Sequence, residues 1–121
     1  MNEELLGGLA QVINDEVRVF NDLLDILNNE QKAIVEDNVA GIEECVLSQQ
    51  QVASKAHELE LRRQAIVKQL SQNLSIDEDE VNLGRLLEVL EGSRATELAL
   101  MREKLIKLTE KIRKVTANNS F

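Results

Sequence analysis

Apolar residues recur every seven positions along the first third of the chain. One row consists of Leu6, Ile13, Phe20, Leu27 and Ile34, and the row one position earlier of Leu5, Val12, Val19, Ile26 and Ala33. Two adjacent heptad rows give a helix a broad apolar face, as in helical bundles, whereas a two-stranded coiled coil has a narrow seam. The pattern predicts one helix over about residues 4–36, which would be roughly 50 Å long.

A second heptad row predicts another long helix over about residues 39–73. Its members are Cys45, Val52, Leu59 and Ile66. Between the two helices, Asp37 and Asn38 form a turn-type pair, and either residue could cap the second helix. Gly41 is an alternative end for the first helix, but we expect it inside the start of the second. Because the link is short, the two helices are predicted to form an elongated antiparallel hairpin.

A short helix is predicted over about residues 77–91. Ser75 and Glu78 have the spacing of a capping box at its start, and Gly92 would end it. Ser93 would then cap a C-terminal helix over about residues 94–117. The apolar positions of that helix step by three and four, as in a coiled coil: Leu98, Met101, Leu105, Leu108, Ile112 and Val115. The prediction is a single all-α domain over residues 1–121, in which hairpin and C-terminal helix form a three-helix, coiled-coil-like bundle.

The amino-acid composition supports the helical prediction and indicates the cellular compartment in which the protein is found. The chain has no Pro, Trp or Tyr and only two Phe, Phe20 and Phe121, so it lacks hard helix breakers and the aromatic residues of a compact core. No stretch approaches the ~20 apolar residues of a membrane span, and the acidic N-terminus is unlike a signal peptide. Cys45 is the only cysteine, so no internal disulfide can form. We expect a cytoplasmic protein without stable membrane insertion.

Charge is distributed unevenly along the chain. The net charge is −8, yet residues 94–114 hold seven basic and three acidic side chains and carry +4. An acidic body disfavours nucleic acid as a partner. We expect the basic C-terminal helix to pack beside the acidic helices of the same molecule.

No residue pattern indicates catalysis or metal binding. His57 is the only histidine, and Cys45 fits a small apolar position of its heptad row. The acidic run 77–80 lacks the glycine and glutamate spacing of a calcium loop, and the glycines form no phosphate loop. We therefore expect no catalytic, cofactor or metal site, and no enzyme.

Several polar residues interrupt the apolar stripes of the two long helices. They are Glu16, Glu30, Gln49, Glu60 and Arg63. Polar groups in a helical seam lower stability but can fix the register of the helices. The alternative is that several of them lie at the edge of the hairpin and reach solvent.

The run from Leu23 to Leu70 resembles the FlgN-like flagellar export chaperones. The residues that carry the resemblance are Leu23, Leu24, Leu27, Glu30, Ala33, Ile34, Asp37, Ile42, Lys55, Leu59, Glu60 and Arg63. The segment 74–91 is similar to the short linker helix of that family, and residues 105–121 are similar to its C-terminal helix. The resemblance implies a cytoplasmic chaperone that binds the C-terminal segments of hook–filament junction (hook-associated) proteins and delivers them to the type III export apparatus.

An amphipathic client helix would need an apolar surface on the chaperone. Our hypothesis is that the C-terminal helix binds the client, or covers the hairpin until the client replaces it, through Leu105, Leu108, Ile112 and Val115. The alternative for these residues is the ordinary core of a three-helix bundle. The alternative for the whole protein is a self-associating coiled-coil assembly protein without a client.

Overall fold

A computed structural model describes residues 2–120, apart from the side chain of Glu78, and confirms the all-α architecture. The elements in chain order are α1 (Asn2–Val35), α2 (Val39–Asn73), a 3₁₀ turn (Glu78–Glu80), α3 (Leu83–Val89) and α4 (Ser93–Asn119). The bounds of the three long helices agree with the predicted ones to within two residues. Phe121 lies outside the described residues.

The turn between α1 and α2 is a Schellman motif followed directly by a helix cap. Asp37 has a left-handed φ of 52°, and the Asn38 N–H donates to the Ala33 carbonyl at 2.8 Å. The Asn38 side chain then accepts a hydrogen bond from the Gly41 N–H at 3.0 Å. A Cβ atom at Gly41 would stand 2.6 Å from Asn38 Nδ2, so this cap requires glycine there. The predicted turn and the place of Gly41 inside α2 are confirmed.

The predicted capping box at Ser75 is wrong. Ser75 has a φ of 57° and closes a second Schellman turn at the end of α2, whereas a residue that caps a helix start normally has extended backbone. The cap of α3 is Asn82, whose Oδ1 accepts from the Arg85 N–H at 2.8 Å. The short helix therefore covers Leu83–Val89 and is shorter than the predicted 77–91.

The start of α4 also differs from the prediction. Ser93 is the first helical residue, and Gly92 holds the cap position with a φ of 92° and no side-chain hydrogen bond. Glycine adopts this backbone conformation without steric cost. Gly92 therefore begins α4, while α3 already ends at Val89.

The core is concentrated at one end of the molecule, which we call the base. All four helices meet there, and its fully buried apolar side chains are Leu9, Ile13, Leu70, Leu86 and Leu98. Farther along, the buried apolar residues are sparse: Val19, Leu27, Ala33 and Leu59. At the opposite end, the tip, only α1 and α2 continue, and Val35, Val39 and Leu47 are exposed.

The three long helices do not surround a common axis evenly. α1 packs extensively against both α2 and α4, but over residues 2–120 α2 and α4 hardly contact each other. α1 is thus the central helix, and a groove remains between α2 and α4.

Candidate functional site

The groove follows α1 from Glu16 to Glu30, which is roughly 21 Å of helix. Its floor consists of Phe20, Leu23 and Leu27. Two adjoining cavities of about 990 Å³ and about 310 Å³ form it. We call this surface the α2–α4 groove.

Small side chains line parts of both walls of the α2–α4 groove. Ala53 and Ala56 stand on α2, and Thr109 and Thr116 on α4. Helices pack with their axes about 8–10 Å apart, and small residues permit the closer distances. An open, elongated trough with an apolar floor suits an α-helix of about four turns better than a small substrate.

A buried ion pair lies at the end of the groove nearer the base. Arg63 Nε donates to the two carboxylate oxygens of Glu16 at 2.9 and 3.1 Å. The Glu16 side chain is 3% exposed and that of Arg63 is 23% exposed. Burial raises the pKa of Glu16 above its ordinary value, and the Arg63 guanidinium opposes that shift without cancelling it.

A second polar cluster lies at the other end of the groove and joins all three long helices. Gln49 Nε2 donates to Glu30 Oε2 at 2.8 Å. Asn119 Nδ2 donates to Glu30 Oε1 at 3.0 Å and to the Leu27 carbonyl at 2.9 Å. The carboxylate of Glu30 therefore holds the C-terminal end of α4 beside the hairpin.

The two polar clusters share one helical register. Glu30 follows Glu16 by 14 residues, and Gln49 precedes Arg63 by 14 residues. Both cross-helix pairs thus occur at the same antiparallel alignment, as expected of polar residues that fix a register. Glu60 is exposed, which fits the alternative that some of these polar residues lie at the edge of the hairpin and reach solvent.

The four apolar residues predicted to bind a client lie on the side of α4 that packs along α1. Leu105, Leu108, Ile112 and Val115 are all half-buried. Leu105 and Ile112 also line the α2–α4 groove, while Leu108 and Val115 do not. The stripe therefore attaches α4 to α1, and two of its members reach the groove.

The sequence pattern did not single out the groove floor. Phe20, Leu23 and Leu27 belong to the same broad apolar face as the buried residues of α1. The available signal was the width of that face: two heptad rows offer more surface than one partner helix covers.

The basic helix α4 packs beside α1 as expected, but ion pairs with the described carboxylates neutralise only the first of its seven basic side chains. Arg94 pairs with Glu3 at 2.8 Å and with Glu97 at 3.1 Å. The other six cations form no ion pair with the described carboxylates: Arg102, Lys104, Lys107, Lys111, Arg113 and Lys114. Positive charge on α4 thus remains available to a partner.

The residues with reactive side chains are not assembled into a chemical site. His57 is exposed on the α2 wall of the groove. Burial, followed by the carboxylates of Glu30 and Glu44, raises the pKa of the half-buried Cys45 thiol, which disfavours the nucleophilic thiolate. Among the described side chains, no three His, Cys, Asp or Glu residues are grouped as metal ligands. No helix within residues 2–120 combines the length and apolarity that a bilayer crossing requires.

Comparison with known proteins gives one family. A sequence profile described as "FlgN protein" matches residues 1–121. The chain belongs to the FlgN family. No curated protein and no solved structure matches significantly. FlgN proteins are flagellar export chaperones, a generally non-enzymatic family, so the family resemblance of the run from Leu23 to Leu70 is confirmed.

Proposed function

We propose that this FlgN protein binds the C-terminal helical segment of a hook-associated protein in the α2–α4 groove. The bound segment would be kept from assembling early, and the subunit would be delivered in the cytoplasm to the flagellar export apparatus. The observation that carries this proposal is the groove itself: an apolar floor along α1, flanked by two helices that hardly contact each other within the described residues. A client helix there would complete a four-helix arrangement and bury its own apolar stripe.

The four residues predicted on α4 take two roles in this proposal. Leu105 and Ile112 contact the client, because they line the groove. Leu108 and Val115, which are half-buried outside it, hold α4 against α1 and so maintain the wall.

Titration calorimetry with C-terminal segments of hook-associated proteins tests the proposal. The wild-type chain is expected to bind one such segment with a negative heat-capacity change, the mark of apolar burial. Replacing both Leu105 and Ile112 with Ala should weaken binding by about tenfold or more, since each removes buried apolar contact. Leu100→Ala is the matched control, because Leu100 is 60% exposed on α4 and does not line the groove.

Loss of binding counts only if the variant keeps its helix content and melting transition. If no hook-associated segment binds the wild-type chain, the proposal fails. A molecular mass above that of one chain, unchanged by any segment, would instead favour the self-associating coiled-coil alternative.

A further inference from the structure

The charge of α4 indicates the chemistry of the helix that fills the groove. Residues 102–114 contain six basic and two acidic side chains. Two of the basic residues, Arg102 and Arg113, line the groove and form no ion pair with the described carboxylates. They are 11 residues apart, about three helical turns, so both point from the same edge of α4.

The position of one of these arginines, Arg102, is partly fixed by α3. The Arg102 guanidinium lies against Gly84, where an added Cβ would be 3.3 Å from Arg102 Nη2. On the opposite wall, Arg63 uses only its Nε to bind Glu16, and its two terminal nitrogens donate no hydrogen bond to the described residues. Donors on both sides of the groove are therefore unused.

Four carboxylates also line the groove and must be weighed against these arginines: Glu16, Glu30, Glu60 and Glu110. Glu30 already accepts hydrogen bonds from Gln49 and Asn119. Glu16 is already bound by Arg63, and Glu60 stands on the α2 side. On the α4 edge, Glu110 is outnumbered by Arg102 and Arg113, and residues 102–114 carry four further lysines outside the groove lining. The α4 edge is the positive side of the groove.

We infer that the helix bound in the α2–α4 groove carries acidic side chains along the edge that meets α4. This inference rests on the proposed function and names the chemistry of its partner. The acidic residues would flank the apolar stripe of the bound helix and pair with Arg102 and Arg113. Arginine forms strong paired hydrogen bonds with carboxylates, so these contacts would select and orient the client.

The net charge of the whole chain predicts the opposite preference. A protein of charge −8 attracts cations over long distances. At physiological salt, however, exposed charges are screened beyond about 8 Å, so side chains beside the groove should decide the preference. The two expectations are therefore separable by experiment.

Two designed amphipathic peptides of about 20 residues serve as probes, since that length covers the groove. Both have the same leucine stripe, flanked by Glu in one peptide and by Lys in the other. We expect the wild-type chain to bind the Glu peptide about tenfold more tightly, with an affinity that falls as NaCl is raised.

Charge reversal on α4 locates the interaction. The double variant R102E/R113E should lose the preference for the Glu peptide. K104E/K111E makes the same change in net charge with exposed residues that do not line the groove, and it should keep the preference. R113E alone, which does not disturb the contact with Gly84, should lose part of it.

Equal binding of the two peptides, tighter binding of the Lys peptide, or equal effects of the two double variants would overturn the inference. These results are distinct from failure of the proposed function, which is decided by the hook-associated segments. A segment that binds equally to wild type and to R102E/R113E would support the function and reject the acidic edge.

Discussion

At the scale of single residues, the main energetic feature is the charge buried between α1 and α2. Among the described side chains, Glu16 is the only charged one that is buried. A carboxylate without solvent requires a partner, and Arg63 Nε supplies two hydrogen bonds to it. The pair is asymmetric, because Arg63 retains access to solvent.

This asymmetry predicts unequal effects of removing the two partners. Arg63→Ala leaves a buried carboxylate alone and should lower the free energy of unfolding by about 3 kcal/mol. Glu16→Ala leaves a guanidinium that can still be hydrated and should cost clearly less. Urea unfolding of both variants measures the difference, and equal losses would contradict this account of the pair.

The pKa of Glu16 gives a pH dependence with a definite sign. Because burial raises that pKa above its ordinary value of 4.5, the folded chain binds more protons than the unfolded chain just above pH 4.5. The contribution of Glu16 to stability therefore falls as pH rises through the raised pKa. Glu16→Gln keeps an acceptor for Arg63 and lacks the titration. The stability of wild type relative to this variant should fall as pH rises above 4.5; an increase would contradict the raised pKa.

At the scale of elements, the three long helices could be predicted because their apolar positions recur at helical spacing along their whole length, despite a few polar residues in the stripes. The segment after α2 could not, since its local signals compete. Ser75 has the composition of a helix cap, but its backbone is already used to end α2. Asn82, seven residues after Ser75, supplies the cap of α3 instead.

The groove was harder to predict than the helices that form it. Heptad rows show which face of a helix is apolar, but not how far apart two helices stand on a third. The separation of α2 from α4 depends on the base, where α3 packs between the ends of other elements. The hydrogen bond between Asn119 and Glu30 could not be predicted either, because it joins residues 89 positions apart and no local pattern indicates it.

The attachment of α4 predicts a local effect of a single substitution. Leu98 is the only residue of α4 that is buried among the described side chains, and it belongs to the base. Leu98→Ala should cost about 2–5 kcal/mol, the range for a buried leucine. Hydrogen exchange should show a larger loss of protection in α4 than in α1. Leu100→Ala, at an exposed site, is the control. A uniform loss of protection across all helices would contradict the expectation that α4 can open while α1 stays folded.

At the scale of the whole molecule, the number of helices packed together decreases from base to tip. The base contains four packed helices, the middle has three helices with a groove, and the tip is a two-helix hairpin. Stability is thus concentrated where α3 and the start of α4 close the core. The middle is left with apolar surface, which the proposed binding of a helical client segment requires.

Site-directed photo-crosslinking tests the central claim most directly. A photoreactive phenylalanine analogue replaces Phe20 on the groove floor, or Arg18, which is exposed and does not line the groove. Each chain is irradiated with the C-terminal segment of a hook-associated protein. The account predicts a crosslink to the segment from position 20 and little from position 18. Binding of the segment with crosslinking from position 18 but not from position 20 would contradict it.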